Sequence, residues 1–223
     1  MKSFSISLIT SAVALLSLGQ PELIGYLKSS TNEVKLNSSE KYIKYSSKIS
    51  NIAFYGFNQE KDISKVSSIA AEINVQIEGA TKGTGVLIKK DGDRYTVITA
   101  WHVVKENRPN EEVGIITSDG IEHIWESKSL IRIGEVDMAI FTFTSTNTYQ
   151  IAKIGDTKTI SMGNVIFISG YPLANSSIPI RLIRFLRGRV ITNTDLIIPD
   201  GYQLHYNNDT RSGMSGGSIL NIK

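Results

Sequence analysis

Cysteine is absent from the 223-residue chain, and proline occurs only five times. The absence of thiols excludes disulfide bonds, thiol catalysis and zinc sites built on cysteine. It does not argue against export, because a chain of this length can bury a sufficient core without cross-links. The sequence has room for one domain, or for two small domains that share an interface.

The chain also lacks a strong charge of either sign. Its 24 Lys and Arg residues against 21 Asp and Glu residues leave a net charge of +3. The only basic cluster consists of four arginines, Arg181, Arg184, Arg187 and Arg189. Apolar residues alternate with them, which favours a solvated strand face over the basic stripe of a nucleic-acid site. We therefore expect no nucleic-acid partner.

No metal or cofactor is expected either. His123 and His205 stand in alternating, strand-like contexts, and no metal-ligand spacing surrounds them. We interpret both as structural or exposed residues.

The N-terminus is typical of a secretory signal peptide. Lys2 supplies a positive start, residues 4–18 are apolar apart from Ser and Thr, and small residues continue to Gly19. The run is short for a membrane span, which needs about 20 predominantly apolar residues. We predict a signal peptide over residues 1–19 and a secreted or periplasmic protein without membrane contact after its removal. An uncleaved anchor is the alternative.

Residues 20–65 differ in composition from the rest of the chain. They are rich in Ser, Lys, Asn and Glu, with apolar residues too sparse for a clear period. This predicts a polar arm or pro-segment. The apolar cluster at residues 52–55 could nevertheless dock onto a core.

From residue 66 onward the pattern indicates β-structure. Residues 73–77 alternate apolar and polar, and an Asp-Gly turn at residues 90–93 joins two apolar runs as a hairpin. Further strands are predicted at 113–117, 121–125, 129–133, 138–144, 164–169, 181–192 and 202–206. Many short strands at this spacing predict an all-β barrel or sandwich. Helix is expected only before Ile73 and for about a turn near His102.

Three short motifs in this β region carry residues typical of nucleophilic catalysis. His102 follows the strand 95–99, Asp137 precedes an apolar strand, and Ser215 lies in Gly-Met-Ser-Gly-Gly. A serine hydroxyl needs a neighbouring base to take its proton, and imidazole needs a carboxylate to fix its tautomer. The glycines allow a sharp turn that would aim the N–H groups of Gly213 and Ser215 at one oxyanion.

Each of these residues also has a structural interpretation. His102 alone is more often a structural residue, Asp137 alone could start a strand, and Ser215 alone could belong to an ordinary turn. The combination in the order His, Asp, Ser is what favours catalysis.

On these motifs the chain resembles bacterial trypsin-like serine peptidases of the chymotrypsin fold. The segments that carry the resemblance are GTGVLI (83–88), VITAWHVV (97–104), EVDMAIFTF (135–143), FISGYPLA (167–174) and GMSGG (213–217). The resemblance implies that residues 66–223 form two antiparallel six-stranded barrels, the first over about 66–150 and a partial second over about 155–223. It also implies that His102 is the general base, Asp137 its orienting acid and Ser215 the nucleophile, with peptides or proteins as substrates.

Two positions bear on how far the resemblance extends. Met214 stands where zymogen-activated relatives carry an Asp that pairs with a new N-terminus, so we do not expect that mode of activation. Asp209 lies six residues before Ser215, where trypsins hold the acid that selects Lys or Arg; an Asx-turn is the alternative.

Only eight residues follow Ser215, and Lys223 is the last. The second barrel is therefore expected to be incomplete, which favours association through its open edge. The alternative function is an inactive peptidase-like module that binds a peptide or partner.

Overall fold

In the computed structural model, the described residues are 6–8, 61–194 and 199–222. Most of the predicted signal peptide and polar arm, with the apolar cluster at 52–55, lies outside these residues. Residues 61–73 are helical, as expected before Ile73. The helix packs Val66, Ala70 and Ile73 into the interior, where none of the three is exposed. This i, i+4, i+7 spacing explains why the segment forms a helix in an otherwise β-rich chain.

The first sheet has seven antiparallel strands in the order β6-β5-β2-β3-β4-β8-β7. The strands are β2 (Asn74–Glu78), β3 (Lys82–Asp91), β4 (Arg94–Thr99), β5 (Gly114–Ile116), β6 (Glu122–Ile124), β7 (Ile131–Arg132) and β8 (Ala139–Thr144). The predicted Asp-Gly hairpin joins β3 to β4, and Gly92 takes a φ of 58° there. That angle is one that glycine adopts without steric cost, so the turn residue matches the turn type.

The second sheet has five antiparallel strands in the order β1-β12-β9-β10-β11. These strands are β1 (Ile6–Leu8), β9 (Val165–Gly170), β10 (Arg184–Asn193), β11 (Leu204–Tyr206) and β12 (Ser218–Leu220). β12 is not among the strands predicted from the sequence, and it adds a strand after the Ser215 motif. Three residues are enough for β12 because it pairs with β9 on one side and with β1 on the other.

β1 lies inside the predicted signal peptide. Its register pairs Ile6 with Leu220 and Leu8 with Ser218. Cleavage of a signal after about residue 19 would therefore remove one strand from this sheet. The predicted boundaries at residues 19 and 65 remain predictions.

Short helices connect the strands. α1 (Trp101–Val104) follows β4 directly, and 3-10 turns occupy Ser127–Ser129, Thr157–Thr159 and Pro199–Gly201. α1 is the short helix expected near His102.

Each sheet curls around its own apolar core, as the all-β, two-barrel prediction requires. The expected six strands in each barrel are not found, because the described strands divide into seven and five. The first core is aromatic at one end, where Tyr95 stacks on Phe143 with ring centroids 5.5 Å apart. The second core is aliphatic, with Ile166, Val190 and Ile219 almost fully buried. Burying such side chains is worth roughly 1.5–3 kcal/mol each, so these two clusters hold the strands in place.

A buried amide links the two sheets. Asn74, at the start of β2, has no exposed surface. Its side-chain N–H₂ donates to Ala70 O at 2.7 Å and to Ser218 Oγ at 2.9 Å, with Ser169 Oγ at 3.4 Å. Its Oδ1 accepts from the Ser218 backbone N–H at 3.1 Å. Asn74 thus connects the helical segment and β2 to β9 and β12.

Candidate active site

His102 is presented by the short helix α1 at the end of β4. Val103 and Val104 of the same helix are buried in the first core. Their burial turns the imidazole the other way, and the His102 side chain keeps 36% of its surface exposed. The helix therefore holds a solvent-accessible imidazole on a rigid support.

Asp137 lies two residues before β8, with only 5% of its surface exposed. Its backbone N–H donates to Asp200 O at 3.0 Å. Its Oδ2 lies 2.6 Å from His102 Nδ1, and its Oδ1 accepts from the His102 backbone N–H at 2.8 Å. Tyr202 Oη donates to the same Oδ2 at 2.6 Å. The structure therefore brings His102 and Asp137 together, the pairing that the family resemblance implied.

These contacts set the ionisation of Asp137. Burial alone raises the pKa of this carboxyl. Hydrogen bonds from the His102 ring, the Tyr202 hydroxyl and the His102 backbone, with the charge of His102, outweigh burial and lower the pKa to about 2. Asp137 is therefore a carboxylate at neutral pH and can orient the imidazole through Nδ1.

Ser215 lies in a tight turn held against the first sheet. The turn requires glycines at its two ends, because Gly213 and Gly216 have φ values of 92° and 81°. The Thr84 backbone N–H donates to Ser215 O at 2.9 Å. A Cβ on Gly216 would overlap Thr84 O and lie 2.9 Å from Ala100 N, so the turn contacts the residue just before α1.

Three consecutive carbonyls of this turn are held by hydrogen bonds. Ser212 O accepts from Leu173 N–H at 2.8 Å, and Met214 O accepts from Gly217 N–H at 3.0 Å. Gly213 O, between them, accepts from Thr84 Oγ1 at 2.8 Å. A peptide unit is planar, with its N–H and C=O on opposite sides. Fixing the carbonyls of residues 212 and 214 therefore also fixes the directions of the N–H groups of residues 213 and 215.

The hydroxyl of Ser215 and the imidazole of His102 are less closely associated. Among the described residues, His102 makes its side-chain hydrogen bond to Asp137, and none joins His102 Nε2 to Ser215 Oγ. Resting hydrolases often show a long or misaligned contact here that tightens only with substrate. Two of the three proposed catalytic residues are thus joined directly, and the third stands in a preformed turn beside them.

The remaining candidate residues lie away from these contacts. Asp209 is 75% exposed, with Arg211 Nη2 3.6 Å from its Oδ2, and its selectivity role stays a prediction. His205 is exposed on β11. His123 is structural: its Nε2 lies 2.9 Å from Tyr149 Oη, and its ring stacks on Phe143 with centroids 4.9 Å apart.

Sequence reasoning missed three residues that shape the site, namely Tyr202, Thr84 and Arg181. Tyr202 and Thr84 carried no signal, because their contacts join residues far apart in sequence. Arg181 was interpreted as part of a solvated arginine face, and that interpretation is wrong. Only 6% of its side chain is exposed, since it binds Glu78 and several backbone carbonyls. Arg187 and Arg189 are exposed, as expected.

Comparison with solved structures defines the class of this fold. The chain is similar to a protein whose structure is titled "Crystal structure of Deg5", with a TM-score of 0.56 and 17% sequence identity. The match covers 73% of this chain and 80% of that one. It confirms the chymotrypsin-like fold of two curled antiparallel sheets.

Comparison with family models then assigns the family. The model described as "Trypsin-like peptidase domain" matches residues 83–223, and the chain belongs to this family. No curated protein matches the chain. Within the described residues, no helix is long and apolar enough to cross a membrane.

Proposed function

We propose that the chain is a serine endopeptidase that hydrolyses peptide bonds through an acyl-enzyme intermediate. His102 is the general base, Asp137 orients it, and Ser215 is the nucleophile. The observation that carries the proposal is the double contact of Asp137 with His102, at 2.6 Å through the ring and 2.8 Å through the backbone. Membership of the trypsin-like peptidase family supports the same roles.

The proposed mechanism follows from the direction of these bonds. Asp137 Oδ2 accepts a hydrogen bond from Nδ1–H, which keeps the proton on Nδ1 and leaves the lone pair of His102 Nε2 available as the base. Nε2 takes the Ser215 hydroxyl proton while Oγ bonds to the scissile carbonyl carbon. The N–H groups of Gly213 and Ser215 stabilise the oxyanion that forms.

Collapse of this tetrahedral intermediate breaks the C–N bond, and His102 gives its proton to the leaving amine. Water then attacks the acyl carbon, with His102 again as the base. Collapse of this second tetrahedral intermediate breaks the bond between the acyl carbon and Ser215 Oγ, returns the proton from His102 to Oγ and releases the acid. No cofactor takes part in either half of this reaction.

The proposal is tested by labelling with a fluorophosphonate probe, detected by mass on the peptide that contains Ser215. We expect a stoichiometric label that His102→Ala and Ser215→Ala both abolish. His205→Ala and Ser161→Ala are the matched controls, because both residues are exposed, and they should label as the unaltered chain does. Labelling that persists in His102→Ala would remove His102 from the mechanism.

The second candidate function is a peptidase-like module that binds peptides without cleaving them. The observation that favours it is the missing hydrogen bond between His102 and Ser215 among the described residues. A folded chain that binds peptides, takes no label and releases no product would establish this alternative. Labelling at Ser215 would exclude it.

We also propose that the protein is exported and lies in the periplasm or outside the cell. The charged start and apolar run of residues 1–19 support export. An N-terminal sequence of the protein recovered outside the cytoplasm tests it, and a start near residue 20 is expected. Recovery of the intact N-terminus would indicate an uncleaved anchor instead.

Removal of residues 1–19 would take β1 away from β12. We propose that the sheet then associates through the exposed β12 edge, because unpaired strand edges template further pairing. Sedimentation of a chain that begins at residue 20 should show self-association that the full chain does not share. Identical mass distributions for the two chains would contradict this.

A further inference from the structure

Arg181 is a buried cation next to the proposed oxyanion turn, and catalysis as proposed does not use it. Its side chain is 6% exposed. A guanidinium offers five N–H donors and no acceptor, and it stays charged. In this protein it makes six hydrogen bonds, five of them to backbone carbonyls. The group is therefore saturated by the protein and has no donor left for a substrate.

On one side Arg181 is anchored to the first sheet. Nη1 bonds to Glu78 Oε1 at 2.5 Å and to Ile77 O at 3.3 Å, both at the end of β2. Nη2 bonds to Gly83 O, at the start of β3, at 2.8 Å. The Glu78 carboxylate also pairs with Lys82, 2.6 Å away. These bonds fix the guanidinium plane relative to β2 and β3.

On the other side Arg181 holds the backbone that borders the oxyanion turn. Nη2 bonds to Tyr171 O at 2.7 Å and to Gly213 O at 3.3 Å, and Nε bonds to Pro172 O at 3.4 Å. One side chain thus connects the loop after β9 with the turn itself. Arg is suited to this task, because its rigid planar fork orders several acceptors at once.

Arg181 is linked indirectly, through two intervening contacts, to the Gly213 N–H, the proposed oxyanion donor. Arg181 holds residues 171 and 172, and the next residue, Leu173, donates its N–H to Ser212 O at 2.8 Å. The Ser212 carbonyl and the Gly213 N–H belong to one planar peptide and point in opposite directions. Whatever fixes Leu173 therefore fixes the direction of the Gly213 N–H. A Cβ on Gly213 would lie 2.7 Å from Leu173 N, which shows how closely the two segments approach.

We propose that Arg181 is a positioning residue that keeps the Gly213 N–H directed at the oxyanion. The inference rests on the proposed function and adds a residue that sets its geometry. Without the guanidinium, the carbonyls of residues 171, 172 and 213 lose a shared donor, and the peptide between Ser212 and Gly213 is held less firmly. Binding of substrate in the ground state does not depend on this N–H to the same extent, because the full negative charge develops only later.

The test separates oxyanion stabilisation from ordinary peptide binding. A peptide aldehyde forms a tetrahedral adduct with the nucleophile and places an oxyanion in the site, whereas the matching peptide carboxamide does not. In Arg181→Lys we expect the inhibition constant of the aldehyde to rise about tenfold, less than the 10²–10³-fold rate effect of losing one donor outright. The inhibition constant of the carboxamide should stay within about twofold. Arg187→Lys, at an exposed position on β10, is the matched control and should change neither.

Glu78→Gln is the second variant and serves if Arg181→Lys does not fold. It keeps the guanidinium but removes its carboxylate partner. We therefore expect the inhibition constant of the aldehyde to rise selectively again, by less than in Arg181→Lys. Equal weakening of aldehyde and carboxamide in a folded variant, or no weakening of either, would overturn the proposal.

The failure of the proposed function would be seen separately, as a lack of Ser215 labelling in the unaltered chain. In that case, crystal structures of the unaltered chain and of Glu78→Gln would show whether Arg181 fixes the peptide between residues 212 and 213. A peptide between residues 212 and 213 that rotates in the variant supports the positioning role, and an unchanged peptide refutes it.

Discussion

The hydrogen bond from Tyr202 to Asp137 allows a quantitative prediction about acid stability. The oxygen atoms lie 2.6 Å apart, and Asp137 is almost fully buried. Lowering the pKa of Asp137 from its ordinary 3.8 to about 2 corresponds to about 2 kcal/mol of folding free energy. The His102 ring and backbone provide the other two donors.

Tyr202→Phe removes one of the three hydrogen-bond donors that Asp137 has among the described residues, and it keeps the ring. We expect it to lower the free energy of unfolding by about 1–2 kcal/mol near neutral pH, since hydrogen bonds to charged groups are worth about 1.5–3 kcal/mol and the remaining donors compensate in part. Because the folded-state pKa lies below the unfolded one, this stability is present above about pH 4 and is lost as the pH falls towards 2. The difference between the two proteins should therefore shrink over that window.

Urea unfolding at several pH values between about 2 and 7 measures this difference. Tyr206→Phe is the matched control. Tyr206 is half-buried on β11, and burial raises its pKa to about 12, yet its hydroxyl makes no hydrogen bond within the described part of the chain. Its variant should show a small difference that does not vary with pH in this range. A pH-independent loss in Tyr202→Phe, or no loss at all, would refute the reasoning.

Two further predictions concern the turn and the specificity of the site. Gly216→Ala should cost about 1–2 kcal/mol for the positive φ and about 1–3 kcal/mol more for the contact with Thr84 O, measured by thermal or urea unfolding. Gly163→Ala, with a φ of 84° and nothing within 4 Å, should show the first cost alone; equal losses in the two variants would contradict the steric argument. If Asp209 selects basic side chains, Asp209→Asn should reduce cleavage of Arg reporter peptides relative to Glu reporters. An unchanged ratio of the two rates would show that Asp209 does not select basic side chains.

The local features of the fold could be predicted from the sequence. The Asp-Gly pair at residues 91–92 specifies its own hairpin, and the alternation over residues 73–77 specifies a half-buried strand. His102 and Asp137 could be paired because each stands next to an apolar strand in a motif of known type. In these cases the information lies within a few residues of the feature it determines.

The contacts that were not predicted depend on distant parts of the chain. Tyr202 reaches Asp137 across 65 positions, and Arg181 reaches Glu78 across 103. Nothing in the immediate surroundings of Arg181 distinguishes it from the exposed Arg187, since both alternate with apolar residues. Only the assembled sheets show which arginine is enclosed by carbonyls and which faces water.

The buried amide of Asn74 has a consequence for evolution and design. Apolar residues that replace a buried hydrogen-bonded group together with its partners are often neutral or stabilising in other proteins. However, Ser218, to which the amide bonds, lies only three residues after Ser215. A hydrophobic contact would tolerate sliding of one sheet over the other, whereas an amide with directional bonds at both ends accepts a single alignment. Selection for activity would then keep asparagine at a position where selection for stability alone would not.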